Sequence, residues 1–368
     1  MKNTFGNSIA LTLFGESHGE MIGAVLDGLA PGIRVDEAFI RAQLSLRRPA
    51  GKISTARQET DDLRIVSGIF EGRTTGTPLT VLIPNTAQHS GDYSATRSLA
   101  RPGHADYTAF AKYHGYEDYR GGGHFSGRVT AALVAAGAIL IGALREKGIL
   151  IGTHIASCAG IADRDFGDLC ADITALNAKT FAVLDEEQGQ KMRAEIEKAA
   201  AEGDSVGGVL ETVVTGVPAG VGEPWFDTAE GMLAHALFAI PAVKGVQFGD
   251  AFAMANGRGS AYNDSYYISD QEIKTRTNHN GGINGGITNG MPIRFSCAVK
   301  PTPSIFKEQE TVDFIKGEDA KLALKGRHDP AIIHRARVVV DSVTALVVAD
   351  LLAQRCGTDW LASSPDDH

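Results

Sequence analysis

The sequence predicts an α+β fold, because its predicted strands come in hairpin-like pairs and do not alternate with helices. Of the 368 residues, 43% are hydrophobic and 21% are charged, so the chain can bury a large core and is unlike a disordered segment. No linker or break in composition marks a boundary. We therefore expect one domain over residues 1–368, with helices packed on antiparallel sheets.

The first half of the chain opens with two predicted strands, at residues 7–14 and 22–29, in which apolar and β-branched residues are punctuated by glycine. Pro31-Gly32 then turns the chain. Asp36 is placed to cap a helix over residues 37–46, where apolar residues recur every three or four positions.

Two more strands are predicted at residues 64–70 and 78–83. The polar stretch 84–126 that follows is expected to be a loop, and a loop of that length in a compact chain usually has a functional reason. The next segment, residues 129–144, is apolar and rich in alanine and glycine. It falls short of the ~20 residues needed to span a bilayer, so a buried core helix is expected.

The second half of the chain echoes the first. Residues 209–237 repeat the order of strand, turn, acidic cap and helix found in residues 25–44, which suggests an internal pseudo-repeat. A strand at 149–157 and a solvated surface helix at 187–202 are predicted between the two halves. A strongly apolar helix is expected at 336–356.

The overall charge limits what the chain can bind. The formal net charge is −9, so neither nucleic acid nor an anionic membrane is expected as a partner, and any bound anion needs a local cluster of cations. No C-x-x-C or H-E-x-x-H sequence is present, so no metal site is expected. The N-terminal residues lack a secretory pattern, which favours a cytoplasmic location.

The segment Gly15–Gly19 reads GESHG and matches G-x-S-x-G, the nucleophile elbow of serine hydrolases. That elbow needs a helix after it, whereas a strand is predicted here. A Ser17-His18 pair in a glycine-flanked turn suits proton delivery better, since histidine has an unperturbed pKa near neutrality. A turn histidine without a chemical role is the alternative.

Two further motifs combine cations with glycine. Arg101-Pro102-Gly103-His104 forms a stiff turn that can present both cationic side chains to one small ligand. The segment 120–128, RGGGHFSGR, runs into the predicted core helix, so its backbone N–H groups and the helix dipole could attract phosphate. Arg128 and Val129 stand where a Walker A loop needs Lys and Ser or Thr, so ATP binding is not expected.

The remaining motifs are weaker taken singly. Residues 279–290 carry paired glycines and residues 300–304 read KPTPS, and together they could wrap a flat polar ring with a phosphate tail. Residues 327–330 read RHDP, which could equally be a surface Arg–Asp pair. Taken together, the motifs gather arginines in a chain of negative net charge, as suits a ligand with several phosphate or carboxylate groups.

The order of these motifs resembles the chorismate synthase family. GESHG, RRP, RPGHAD, YRGGG leading to S-G-R, AVKGV, GGINGGITNG, KPTPS and GRHDP follow one another from residue 15 to residue 330. The resemblance implies an α+β fold with helices sandwiched between two antiparallel β-sheets and with internal pseudo-symmetry. It further implies a homotetramer with one reduced FMN per subunit.

The family reaction is the 1,4-anti elimination of phosphate from 5-enolpyruvylshikimate 3-phosphate, which gives chorismate without net redox change. By position, His18 resembles the acid that assists phosphate departure, and His104 resembles the histidine that interacts with the reduced flavin. Asp329, working with Ser17, resembles the relay that removes a proton from the flavin.

The resemblance also implies two larger sets of binding residues. The substrate-binding residues are cationic and comprise Arg47, Arg48, Arg101 and Arg128. The cofactor-binding residues are His124, Phe125, Ser126, Pro241, Ala242, Gly285, Lys300, Pro301, Thr302, Pro303, Ser304 and Arg327.

One departure from the family pattern concerns the flavin. Many members have Arg-Ser-Ser-Ala-Arg where this chain has His124-Phe125-Ser126-Gly127-Arg128, so one cation and one hydroxyl are missing. A basic residue common after RRP has only Lys52 as its nearest counterpart. Members that reduce their own flavin use NADPH, with contacts assigned where Arg47 and Arg48 lie. We expect this chain to need an external flavin reductase instead.

Two other functional classes stay open on the residues alone. One is a phosphate-binding hydrolase or transferase, which would lose a covalent intermediate with Ser17→Ala. The other is a non-catalytic flavin- or anion-binding module, which would take up flavin without a spectral change on addition of substrate.

Overall fold

A computed structural model of the chain describes residues 2–49, 51, 53–54, 61–86, 97–324 and 328–362. The described strands are β1 (Thr4–Phe5), β2 (Ala10–Gly15), β3 (Met21–Asp27), β4 (Arg64–Ser67), β5 (Ile69–Phe70), β6 (Arg73–Thr74), β7 (Leu79–Pro84), β8 (Leu150–Cys158), β9 (Ile161–Ala162), β10 (Gly208–Thr215), β11 (Val243–Phe248), β12 (Tyr266–Ser269), β13 (Glu272–Thr275), β14 (Ile283–Asn284), β15 (Ile287–Thr288), β16 (Ile293–Val299), β17 (Gln309–Asp313) and β18 (Glu318–Leu322). The described helices are α1 (Glu37–Arg47), α2 (Asp106–Tyr113), α3 (Thr130–Glu146), α4 (Leu169–Asn177), α5 (Glu186–Ala201), α6 (Ala229–Leu237), α7 (Ala251–Met254), α8 (Gly259–Tyr262) and α9 (Ile333–Cys356).

Two antiparallel sheets form the outer layers of the described fold. The first has the strand order β1-β2-β3-β7-β4 and the second has the order β11-β16-β10-β8-β9, with every neighbouring pair antiparallel. The strands predicted at residues 7–14, 22–29 and 78–83 correspond to β2, β3 and β7 with shifted ends. The prediction of an α+β fold with antiparallel sheets is confirmed.

The two sheets are built from the same succession of elements. In the first half, β3 pairs with β2 and β7, and helices α1 and α3 follow β3 and β7. In the second half, β10 pairs with β8 and β16, α6 follows β10, and α9 follows β16 after the β17–β18 pair. The pseudo-repeat predicted from the sequence is therefore present in the topology.

The helix caps of the two repeats differ. Asp36 caps α1 as predicted, because its carboxylate accepts from the backbone N–H of Phe39 at 3.0 Å. The cap of α6 is not the acidic residue that we predicted. Thr228 occupies the cap position, and its hydroxyl oxygen accepts from the N–H of Gly231 at 2.8 Å.

Helices α3 and α9 form the layer between the sheets. α3 packs on β3 and β7, α9 packs on β8 and β10, and the two helices pack against each other. A Cβ on Gly137 would lie 2.4 Å from the Cβ of Ser342, so the absent side chain is what lets the helices approach. Gly127–Glu146 is long and apolar enough for a membrane span, but 83% of its apolar window is buried inside the protein, as predicted for a core helix.

The stretch predicted as a loop, residues 84–126, also contains helical structure. Residues 106–113 form α2 and residues 120–125 form a 3-10 turn. α2 has eight residues, and of these Ala109 is buried. A helix this short, with so little buried surface, does not show a recognisable apolar periodicity in the sequence. The surface helix predicted at 187–202 is α5.

Elements from the two halves of the chain meet at their ends. The end of α1 and the start of α9 are joined where Arg335 Nε donates to the carbonyl of Arg47 at 2.8 Å. The ammonium of Lys300, the residue after β16, donates to the carbonyl of Gly103. The predicted site motifs lie at these ends.

Candidate active site

Ser17 and His18 lie in the turn that joins β2 to β3, and both side chains are buried. The Ser17 hydroxyl lies 3.2 Å from His18 Nδ1, and the N–H of Ser17 donates to the carbonyl of Gly123 at 3.0 Å. The turn connects neighbouring antiparallel strands, which differs from the strand–turn–helix geometry of a nucleophile elbow. The hydroxyl is therefore placed to orient the imidazole.

The glycine pair Gly121-Gly122 lies between two predicted catalytic histidines. A Cβ on Gly121 would lie 2.2 Å from His18 Cε1 and 2.9 Å from the Ser17 hydroxyl oxygen. A Cβ on Gly122 would lie 3.3 Å from His104 Nε2. His18 and His104 are therefore placed on either side of two consecutive residues, and both glycines have positive φ, which other residues rarely adopt.

His104 is held by the carboxylate of Asp106, for which the sequence predicts no role. Asp106 accepts from His104 Nδ1 at 2.8 Å and makes a two-point contact with Arg101, at 2.8 Å from Nε and 2.7 Å from the terminal nitrogen. Burial alone would raise the pKa of Asp106, but hydrogen bonds and positive charge from Arg101 and His104 hold that pKa well below its ordinary value. The ionised carboxylate fixes the His104 tautomer, with Nδ1–H bonded and Nε2 directed toward Gly122.

Three of the predicted substrate-binding arginines converge on one buried carboxylate, Asp61. Arg47 lies 3.6 Å from it, Arg48 Nε lies 3.3 Å from it, and Arg128 forms an ion pair with it. Arg47 also donates to the carbonyl of Gly127 at 3.4 Å. Three guanidinium groups gathered at one place suit the recognition of phosphate or carboxylate groups.

The segment His124–Ser126 contacts both the turn that carries His18 and the arginine cluster. His124 Nδ1 is 2.8 Å from the carbonyl of Gly15, so this imidazole supports the turn that carries His18. The Ser126 hydroxyl accepts from the N–H of Arg128 at 3.3 Å. Phe125 is 38% exposed, and its ring meets that of Tyr113 edge-on.

The residues predicted for the cofactor at 300–304 pack against the Arg101–His104 turn. A Cβ on Gly103 would lie 3.4 Å from Pro303 Cβ, and the N–H of Lys300 donates to the carbonyl of Ala242 at 3.0 Å. Ala242, which follows Pro241 in the turn before β11, has φ +74, a strained value for alanine. Pro301, Thr302 and Ser304 lie in the same segment, where Ser304 is buried.

Asp329 lies four residues before α9 and forms an ion pair with Arg335 in that helix. Since Arg335 also donates to the carbonyl of Arg47, Asp329 is linked to the arginine cluster. The neighbouring His328 has a pKa lowered by burial and by the charges of Arg101 and His104. Its Nε2 is buried and makes no hydrogen bond within the described residues. Arg327 lies outside the described residues.

Gly285 is another of the predicted cofactor residues. It turns the β14–β15 hairpin with φ +63, and a Cβ there would meet nothing within 4 Å. The hairpin is held from the preceding loop, where Gly220 N donates to the carbonyl of Thr288 at 2.7 Å and Ala229 N donates to that of Gly286 at 2.8 Å.

The arrangement can bind an anion and deliver a proton, because it gathers two histidines and several arginines, of which His18, Arg47 and Arg128 are buried. Sequence reasoning missed three supporting residues, Asp61, Asn85 and Asp106. Asp106 could have been found from its place two residues after His104 in the motif. In the described part of the chain, no group of three or more His, Cys, Asp or Glu side chains is arranged to hold a metal ion.

Comparison with known proteins gives one consistent family. Residues 9–353 match the family model described as chorismate synthase. A chorismate synthase of Pyrococcus abyssi is 46% identical over 350 residues, covering 95% of this chain and 97% of the relative. That of Aeropyrum pernix is 45% identical, covering 96% and 93% of the two chains.

A solved structure agrees with these relatives. A crystal structure of a chorismate synthase superposes with a TM-score of 0.76 at 27% sequence identity, covering 96% of this chain and 94% of the other.

Proposed function

Because the chain belongs to the chorismate synthase family, we propose that it is a carbon–oxygen lyase that eliminates phosphate from 5-enolpyruvylshikimate 3-phosphate to give chorismate, in a 1,4-anti reaction that requires reduced FMN. The observation that carries this proposal is the placement of His18 and His104 on either side of Gly121-Gly122. An elimination that loses both a phosphate and a proton needs proton-bearing groups at more than one point of the substrate.

Anion binding is assigned to the arginines. Arg47, Arg48 and Arg128 surround Asp61, and their guanidinium groups would hold the substrate phosphate and carboxylates. Guanidinium groups in a buried site stabilise the charge that develops on departing phosphate, because they are already oriented before the reaction. Arg101 adds a further cation beside His104.

Proton delivery to the departing phosphate is assigned to His18. The Ser17 hydroxyl contacts Nδ1 at 3.2 Å, which orients the ring, and burial of both residues keeps water from competing for the proton. The Nδ1 atom of His104 is held by Asp106, so its Nε2 atom is directed toward Gly122. Asp329 is proposed to accept a proton together with Ser17.

The residues at 300–304 and 328 fit a polar ring system such as FMN. Thr302 Oγ1 and His328 Nε2 are buried and make no hydrogen bond within the described residues, and buried polar atoms are normally paired. FMN would supply electron density to the allylic ring of the substrate as phosphate leaves. The Lys300 ammonium and the Ala242–Lys300 contact hold the surrounding backbone in place.

The test is anaerobic spectrophotometry of the purified chain with FMN and 5-enolpyruvylshikimate 3-phosphate. With dithionite as reductant, we expect a transient flavin spectrum on substrate addition, followed by chorismate absorbance. With NADPH alone we expect no turnover, since this chain is proposed to depend on an external flavin reductase. Flavin uptake with no substrate-dependent change would contradict the proposal.

We also propose a cytoplasmic homotetramer. Exposed apolar side chains on one face of the β12–β13 hairpin support self-association, because Ile268 pairs directly with Ile273 in register and both are largely exposed, as is Tyr266. Light scattering should give the mass of four chains. A single-chain mass at micromolar concentration would contradict this assignment.

A further inference from the structure

Asn85, the first residue after β7, contacts both the turn that carries His18 and the side chain of Arg128. Its side-chain NH₂ group donates to the carbonyls of Glu16 and Gly19, at 2.9 Å each. Its carbonyl oxygen accepts from Arg128 Nε at 2.9 Å. Its backbone N–H donates to the carbonyl of Glu20 at 3.0 Å.

These contacts determine the orientation of the Asn85 amide. A flipped amide would place the NH₂ group against Arg128 Nε, a donor, and the oxygen against the carbonyls of Glu16 and Gly19, both acceptors. The two carbonyls flank Ser17-His18, and the N–H of Gly19 donates back to the carbonyl of Glu16 at 3.1 Å. The amide therefore holds the turn from both sides of His18.

The terminal guanidinium nitrogens of Arg128 also have hydrogen-bond partners. Arg128 pairs with Asp61 and donates to the carbonyl of Pro84 at 3.1 Å. Since Arg128 is almost fully buried, its guanidinium has little freedom to move. The Asn85 amide bonds to Arg128 through its oxygen and to the turn that carries His18 through its NH₂ group. It therefore holds this turn at a fixed position relative to Arg128.

We infer that Asn85 is a positioning residue that fixes the distance between the His18 imidazole and the Arg128 guanidinium, so that a proton donor and an anion-binding group address the same phosphate. The inference rests on the proposed function, because it assigns these two roles to His18 and Arg128. A displacement of about 1 Å in such a pair can lower a rate by about 10²-fold.

The test compares Asn85→Ala with Asn177→Ala. Asn177 is a matched control, because it is also partly buried and donates to a backbone carbonyl, that of Ile151 at 3.0 Å, but it lies on α4, away from the site. We expect kcat to fall by roughly 10- to 100-fold in Asn85→Ala, with a smaller change in KM, and to stay at the parental value in Asn177→Ala.

A second readout does not depend on turnover. In ¹³C-labelled histidine spectra, the titration curve of His18 should shift in Asn85→Ala and should not shift in Asn177→Ala. If the parent chain produces no chorismate, the proposed function fails, whereas this titration still decides whether Asn85 positions His18.

A third variant covers the case in which Asn85→Ala does not fold. Asn85→Gln keeps the amide but displaces it by one methylene, so it cannot meet the turn and Arg128 at the same time, and kcat should again fall. Parental kcat together with an unchanged His18 titration, in either folded variant, would overturn the inference.

Discussion

The α-carbon of Gly121 lies so close to His18 that a Cβ built on it would stand 2.2 Å from the imidazole Cε1 and 2.4 Å from Nδ1. Real Cβ atoms do not approach other atoms this closely, so position 121 accommodates glycine alone while His18 keeps its place. The backbone has φ +60 there, which independently disfavours other residues. Gly121 therefore helps to fix the position of the His18 side chain.

Gly121→Ala should lower kcat by about 10²-fold, because the added methyl group must displace His18. The control is Gly72→Ala, whose backbone has a similar φ of +73 but whose Cβ would meet nothing within 4 Å. Both variants should lose about 1–2 kcal/mol of unfolding free energy from the strained φ. Steady-state kinetics and thermal unfolding of both proteins check this, and equal activities would contradict the placement of His18.

His104→Ala and Asp329→Ala should each lower turnover by roughly 10²-fold or more, the usual effect of removing a positioned acid or base. The exposed His235, which packs edge-on to Phe5, provides a control, since His235→Ala should leave kcat unchanged. Chorismate formation under anaerobic conditions is the measurement. Parental rates in both site variants would show that the assigned roles are wrong.

Asp106→Asn should destabilise the protein in a pH-dependent way. Folding lowers the pKa of Asp106 from its ordinary value of 3.8, so the carboxylate stabilises the fold above that value and loses this contribution as pH falls below it. The variant should be less stable than the parent by roughly 1.5–3 kcal/mol at pH 7, and the difference should shrink toward pH 3.

Urea unfolding of the parent, Asp106→Asn and Asp62→Asn at several pH values checks that dependence. Asp62 is a suitable control because its pair with Arg64 is exposed on both sides. A stability difference for Asp106→Asn that does not change with pH would count against the buried ionised carboxylate.

Gly137→Ala and Gly142→Ala, in the same helix, should have opposite effects on stability. The first places a methyl group 2.4 Å from Ser342 Cβ and should cost about 1–3 kcal/mol. The second meets nothing within 4 Å and borders a cavity of about 200 Å³, so helix propensity should make it neutral or up to about 1 kcal/mol more stable. Calorimetry of both variants tests the packing of α3 on α9.

Local sequence patterns predicted the longer helices and the strands of the first half of the chain, but not strands β11 to β18. Helix α1 has apolar residues every three or four positions, α5 has a charged outer face, α9 is apolar along most of its length, and the strands β2 and β3 are bounded by glycine. Helices α2 and α4 were missed, because each is short and buries few side chains. The pairing of strands from distant parts of the chain, such as β10 with β16, follows from packing that no local pattern reports.

The site was predictable only where its residues fall in motifs. Ser17, His18, His104 and Asp329 could be named because they stand in short, distinctive segments. The role of Asp61 could not be predicted, because it depends on contacts with Arg47, Arg48 and Arg128 that only the fold creates. The role of Asn85 could not be predicted either, because its partners Arg128 and Glu16 lie about 40 and 70 residues away along the chain.

The residues around His18, His104 and the arginines are proposed to convert 5-enolpyruvylshikimate 3-phosphate into chorismate. The most direct measurement is the yield of chorismate and of inorganic phosphate in the same anaerobic samples, with the purified chain and dithionite-reduced FMN. We expect equal amounts of the two products, both dependent on reduced flavin. Phosphate released without chorismate, or flavin bound with neither product formed, would contradict it.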